Sequence, residues 1–274
     1  MMRYRIPAGI ASATLLIAQL VVRGSTAYVE IHPIVELREQ CLIGGVQDQK
    51  WVPPARFEKT LRSPQNFNLY TLGGPAGEIL LTKNAESECH PRWSAKSTPK
   101  LNDGIAIQSP SWNVMPRVPK PIDSDDPAYV QIVSDILKAA GISKPEVKIT
   151  QAYSVDLDGD GNQEVVIVAN HFAHGLRELS GISTQTSPGD YTLVFVRKTV
   201  NGKVENIFIV KAIWLKAGTS VLPRANHLSA IADLNGDGIM ELVLYNAYYE
   251  GSASDVLQVK GSKVTGVLSC SCEH

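Results

Sequence analysis

The chain has 274 residues, 44% hydrophobic and 19% charged, with a formal net charge of −1. This is the composition of an ordinary globular protein with room for one large domain or two small ones. No basic run occurs, which argues against nucleic acid or an anionic membrane surface as a partner.

The first residues stand apart. Arg3 and Arg5 precede an uncharged, mostly apolar stretch from Ile6 to Val22, and Ser25-Thr26-Ala27 places small residues where a signal peptidase reads. A spanning helix needs ~20 apolar residues, and this run is interrupted by Pro7, Gly9 and Gln19. Residues 1–27 therefore read as a cleaved secretory signal, with no membrane span left afterwards and a secreted or periplasmic location. Cleavage removes three Arg and no acid, leaving 26 − 3 = 23 basic against 27 acidic residues.

Residues 28–115 form a β-leaning region. Tyr28–Ile31 alternates, and Phe67–Tyr70 and Glu78–Thr82 flank Gly73-Gly74-Pro75 as in a hairpin. Gly104–Ile107 is another short strand. Trp51, Trp93 and Trp112 lie in this half and read as core or cover rather than as exposed platforms for sugar rings. Pro116, Pro119 and Pro121 mark a stiff connector at 116–125. One amphipathic helix follows. Asp126 caps it, Pro127 fits its first turn, and Gly141 ends it. Tyr129, Val130, Val133, Ile136, Leu137 and Ala140 share one face, which is predicted to pack on a sheet.

The remainder, within 126–274, is organised around a stretch that occurs twice. Asp156-Leu157-Asp158-Gly159-Asp160-Gly161-Asn162-Gln163-Glu164 returns 77 residues later as Asp233-Leu234-Asn235-Gly236-Asp237-Gly238-Ile239-Met240-Glu241. Each copy follows an apolar stretch and runs into another. Oxygen-bearing side chains occupy positions 1, 3, 5 and 9, and Gly occupies position 6. Ca²⁺ is a hard cation that takes roughly 6–8 oxygens at ~2.3–2.6 Å. In the first loop Asp156, Asp158 and Asp160 would converge on it, with the carbonyl of Asn162 and with Glu164, directly or through water. In the second, Asp233, Asn235, Asp237, the carbonyl of Ile239 and Glu241 would do the same. Two Ca²⁺ ions are expected. Four acids against three predict that the first loop binds more tightly. Position 12 is Ile167 in one copy and Leu244 in the other, so the bidentate Glu of an EF-hand is missing and the loops are not EF-hands.

The pattern at Asp156–Val168 and Asp233–Leu244 resembles the calcium-loop repeats called FG-GAP or VCBS repeats, known from the integrin alpha-subunit propeller and from many secreted bacterial proteins. With flanking strands the resemblance covers about the C-terminal half. It implies a mainly β fold of antiparallel, four-stranded, blade-like units, a β-propeller or part of one. The strands fit. Val147–Val155 and Glu164–Ala169 flank the first loop, and Tyr191–Arg197 and Val204–Val210 surround Asn201-Gly202. Leu228–Ala232, Leu242–Tyr245, Val256–Val259 and Val264–Leu268 make the second unit. Two blades cannot close a ring, since propellers usually need ~4 or more. Either the N-terminal strands supply degenerate blades, or the units stack open-ended on them and on the helix.

Cys41, Cys89, Cys270 and Cys272 suggest disulfides in an exported protein. Cys41 and Cys89 can each bridge to the terminal pair, or they can bridge to each other. A soft-metal site at Cys270, Cys272 and His274 is the alternative. The sequence carries no convincing active site, and G-x-S-x-G is missing. His171 and His174, just beyond the first unit's second strand, would serve a hydrolase, or more simply a polar loop. Tyr248–Gly251 occupies the corresponding place in the second unit. Together these segments are the candidate face for a protein or glycan partner.

Overall fold

The structure is a computed structural model that describes residues 30–84, 92–95, 103–174, 185–219, 223–249 and 251–273. The proposed signal segment, Cys89 and His274 lie outside them. The chain is mainly β, with antiparallel sheets and one α-helix. No helix among the described residues is long and apolar enough to cross a membrane.

The N-terminal half builds one sheet from seven short strands. They are β1 (His32–Glu36), β2 (Cys41–Gln47), β3 (Lys50–Val52), β4 (Gln65–Thr71), β5 (Gly74–Asn84), β6 (Arg92–Ala95) and β7 (Ile105–Ile107). Their order is β1-β7-β4-β5-β6-β2-β3, and β1 also pairs with β2. The sheet therefore curls round its own apolar cluster, in which Phe67, Leu81 and Trp93 are almost wholly buried. The β4–β5 hairpin expected around Gly73-Gly74 is present, in a register that pairs Thr71 with Gly74. These strands form a single seven-stranded sheet rather than separate degenerate blades.

The connector is less passive than its prolines imply. Lys120–Pro121 (β8) pairs with Tyr153 and Ser154 as an edge strand, a position where a missing proline N–H costs nothing. Helix α1 (Pro127–Ala139) begins where expected, with Asp126 Oδ1 accepting from the Ala128 N–H at 2.9 Å. Val133 and Leu137 are fully buried against Ile149, Val165, Ile167, Leu193 and Phe195.

That packing explains the apolar run after the first loop. The first unit is β9 (Ile149–Val155), β10 (Glu164–His171), β12 (Tyr191–Val200) and β13 (Lys203–Ile213), in the order β13-β12-β10-β9-β8. Residues 165–169 of β10 are buried on both faces. One cover is the helix, and the other is the core shared with the remaining sheets, which includes Val166 and Val168. Gln185–Thr186 (β11) and Gly218–Thr219 (β14) make a small two-stranded accessory sheet. The second unit is a four-stranded meander of β15 (Ala225–Ala232), β16 (Glu241–Tyr248), β17 (Gly251–Lys260) and β18 (Lys263–Glu273). The largest cluster draws on all three main sheets, with Ile34, Ile43 and Ile107 from the N-terminal half, Val166 and Val194 from the first unit, and Leu228, Val243 and Val256 from the second. The N-terminal and C-terminal halves thus share one core.

The two units dock edge to face through side-chain amides. Gln151 Oε1 accepts from the Leu228 N–H at 2.7 Å, and its Nε2 donates to the Leu228 carbonyl at 3.0 Å. This satisfies the backbone of β15 where its pairing with β16 shifts register. Buried Asn170, Thr192 and Asn226 interlock beside it. A disulfide from Cys41 on β2 to Cys270 on β18 ties the N-terminal sheet to the last strand, and Cys272 is disulfide-bonded as well. In this state Cys270 and Cys272 present no thiolate, so the soft-metal alternative loses two of its donors.

Candidate functional site

Both loops share the bonds made by positions 1, 5 and 9. Asp156 Oδ1 accepts from the Gly159 N–H at 2.7 Å and its Oδ2 from the Gly161 N–H at 3.1 Å. Asp233 does the same with Gly236 at 2.7 Å and Gly238 at 2.9 Å. Glu164 Oε2 accepts from the Leu157 N–H at 2.8 Å, and Glu241 Oε2 from the Leu234 N–H at 2.9 Å. Asp160 Oδ1 accepts from the Asn162 N–H, as Asp237 Oδ1 does from that of Ile239. The glycines make the bend possible. Gly161 and Gly238 sit at φ +88° and +86°, in left-handed backbone that a side chain resists. Leu157 and Leu234, between the polar positions, are anchored in the core.

A direct bond and one neighbouring segment hold the loops together. The Met240 N–H donates to the Leu157 carbonyl at 2.8 Å, linking loop to loop directly. Arg117, from the connector, spans both. Its Nε donates to the Asp156 carbonyl at 2.5 Å, and its Nη2 to the carbonyls of Leu157 at 3.3 Å and Gly238 at 2.6 Å. Trp112 braces the second loop by donating from Nε1 to the Asp233 carbonyl at 2.8 Å.

The first loop brings one oxygen from each of Asp156, Asp158 and Glu164 within 4.8 Å of one another, an acidic triad that could hold a metal ion. Asp158 Oδ1 is buried with no hydrogen-bond partner, a bare acceptor that fits such a role. One feature of the cluster is invisible in the loop sequence. Lys198, on β12, places Nζ 2.7 Å from Asp158 Oδ2 and 3.2 Å from Glu164 Oε1, and its side chain is only 4% exposed. Burial works to lower the Lys198 pKa, but the Asp158 and Glu164 contacts outweigh it and the net shift is upward. The surplus of acids in the first loop is therefore offset by a buried ammonium.

The second loop has no such partner. Its position 3 is Asn235, whose oxygen accepts from the Asp237 N–H at 3.1 Å. Gln258 Nε2 donates to Glu241 Oε1 at 2.8 Å and to Asp237 Oδ2 at 3.2 Å. Lys260 reaches Asp237 at 3.3 Å from a side chain that is half exposed. Burial pushes the Glu241 carboxyl from 4.5 up to about 8, and burial raises Asp233 too. Asp160, at the surface, is held low mainly by the Asn162 N–H.

The histidines do not converge on shared chemistry. His171 Nε2 lies 3.6 Å from Glu146 Oε2, and its ring leans on Tyr191. His174 pairs instead with Ser187 Oγ at 3.3 Å. Phe172 packs against Ala225 and Ala247, at the ends of β15 and β16 next to Tyr248. Tyr249 is exposed there, and Arg224 lies over the Tyr248 ring. This face is at the far end of β10 and β16 from the loops, roughly 25 Å along eight-residue strands rising ~3.3 Å per residue.

Comparison with protein-family models, with curated proteins and with solved structures finds no match for this chain.

Proposed function

We propose that the protein is an extracytoplasmic β-module stabilised by Ca²⁺, which presents the face around Phe172, His174 and Tyr249 to a protein or glycan partner. The observation that carries the reading is the loop pair, in which two carboxylate-lined turns keep one hydrogen-bond pattern across 77 residues and are clamped together by Arg117. Carboxylates gathered this closely call for a compensating cation, which Lys198 supplies in the first loop and which no buried ammonium among the described residues supplies in the second.

In this reading Asp156, Asp158, Asp160, the Asn162 carbonyl and Glu164 form one cradle. Asp233, Asn235, Asp237, the Ile239 carbonyl and Glu241 form the other. The repeat by itself allows up to two ions. The role is structural, since the candidate face lies at the opposite end of the strands. The two meanders are read as an open, partial propeller lying on the N-terminal sheet. The disulfide fits export, where extracellular modules bind Ca²⁺ at ~10⁻⁴–10⁻³ M. Hydrolysis through His171 and His174 is the competing proposal, and their separate partners give it no support.

Amide hydrogen exchange on the full mature chain, in chelator and in millimolar Ca²⁺, tests the reading. Slowed exchange at one or both loops and along β10 or β16 is expected. Exchange unaltered by Ca²⁺ everywhere would refute it.

A further inference from the structure

The register of the two units makes Lys198 and Gln258 equivalent. Val165, the second residue of β10, pairs with Arg197, and Leu242, the second residue of β16, pairs with Leu257. Lys198 and Gln258 are the next residues along their strands. Each meets the glutamate that closes its loop, and each reaches one further carboxylate, at loop position 3 for Lys198 and at position 5 for Gln258. Lys198 touches Glu164 Oε1 and Asp158 Oδ2, while Gln258 touches Glu241 Oε1 and Asp237 Oδ2. The strand position and the contact with the closing glutamate are the same, and the charge delivered there differs by one.

We propose that the Lys198 ammonium is the resident cation of the first loop, and that the second loop alone takes Ca²⁺. The proposal rests on the Ca²⁺ reading above and narrows it from two ions to one.

The competition at the first loop is direct. Ca²⁺ needs oxygens that are free to close round it. Glu164 already gives Oε2 to the Leu157 N–H and Oε1 to Lys198, and Asp158 gives Oδ2 to Lys198. An entering ion has two courses. It can displace the ammonium, leaving a 4%-exposed positive charge without its carboxylates. Otherwise it can sit beside the ammonium and meet repulsion at short range in a poorly solvated site. Both courses weaken binding.

The second loop has the opposite need. Glu241 is wholly buried, and the side chain that meets its Oε1 is a neutral amide. Lys260 is half exposed and free to swing into water, so Asp237 can be released to an ion. The acid count alone ranks the loops the other way round, because it omits a residue that lies 40 positions from Asp158 in sequence.

Equilibrium dialysis and titration calorimetry of the full mature chain with Ca²⁺, on wild type and two reciprocal variants, test the proposal. One equivalent is expected for wild type. Lys198→Gln, which copies the second unit, should bind two, with the new site at least tenfold tighter than any residual binding there in wild type. Gln258→Lys, which copies the first unit, should bind none, and its melting temperature should not respond to Ca²⁺. Lys198→Gln is to be prepared in Ca²⁺ so that uncompensated carboxylates do not prevent folding. Two equivalents on wild type, or one equivalent retained by Lys198→Gln, would overturn the proposal. An absence of binding by every protein would remove the Ca²⁺ reading itself.

Discussion

Arg117→Ala should loosen the two loops from each other, and the size of the effect follows from the contacts. The guanidinium makes three bonds to backbone carbonyls, at 2.5, 2.6 and 3.3 Å. Hydrogen bonds involving a charged group contribute ~1.5–3 kcal/mol each when well formed. Arg117 is half-buried, and water can reach the Gly238 end, so the two short bonds count near the low end and the long one little. The loss is then about 2–3 kcal/mol. A chain of this size loses ~2–4 °C of melting temperature per kcal/mol, so the drop should be roughly 5–10 °C. Arg117→Lys should recover less than half, because an ammonium cannot fork between two loops. Thermal melts of the chain from Tyr28 in chelator give the reading. A melting temperature for Arg117→Ala within about 1 °C of wild type would refute the clamp.

Burial pushes the Glu36 carboxyl from 4.5 up to about 7, against bonds from the backbone N–H groups of Glu39 and Arg38 and from Ser254. Between these values the native state holds a proton that the unfolded state releases, so this group's contribution is complete below pH 4.5 and lost as pH rises through 7. The loss is about 3 kcal/mol at ~1.4 kcal/mol per pH unit. Urea unfolding should show Glu36→Gln gaining on wild type as pH rises from 5 to 8, and a constant gap would contradict this. Gly238→Ala, with φ +86° and open space around it, should cost the ~1–2 kcal/mol of left-handed backbone. Gly236→Ala should cost at least ~1 kcal/mol more, since its Cβ would lie 3.0 Å from the Trp112 ring. Equal urea midpoints for the two glycine variants would count against that packing. Replacing both Cys41 and Cys270 by Ser opens a loop of 229 residues and should lower unfolding free energy by up to ~5 kcal/mol, read from the urea midpoint.

What could be read from sequence was local. The helix has its cap, its N1 proline and its stripe within fifteen residues. The hairpin at Asn201-Gly202 has the left-handed pair its turn requires, with φ +51° and +75°. The acidic loops are contiguous, so their repeat is visible in the sequence itself. The residues that complete the site are not contiguous with it. Lys198 follows an apolar run on β12 and looks there like any strand-end lysine. Arg117 sits among prolines that suggest only a connector, and Trp112 gives no sign that it braces a loop more than a hundred residues away. Aligning the units by their loops does not reveal Lys198, because it lies 198 − 164 = 34 residues beyond Glu164 while Gln258 lies 258 − 241 = 17 beyond Glu241, and only the strand register sets the two against each other. The N-terminal sheet was the least legible part. Its strands are three to eleven residues long, and β1 meets β7 only across some seventy residues of chain.

The central claim is that a divalent cation holds this fold. A thermal melt of the mature chain, first in chelator and then with Ca²⁺ from micromolar to millimolar, addresses it most directly. The account predicts a melting temperature that climbs with Ca²⁺, by the increment expected of a ligand that binds only the native state, and that does not climb with equal Mg²⁺. A melting temperature indifferent to Ca²⁺ across that range would contradict it and reduce both loops to polar turns.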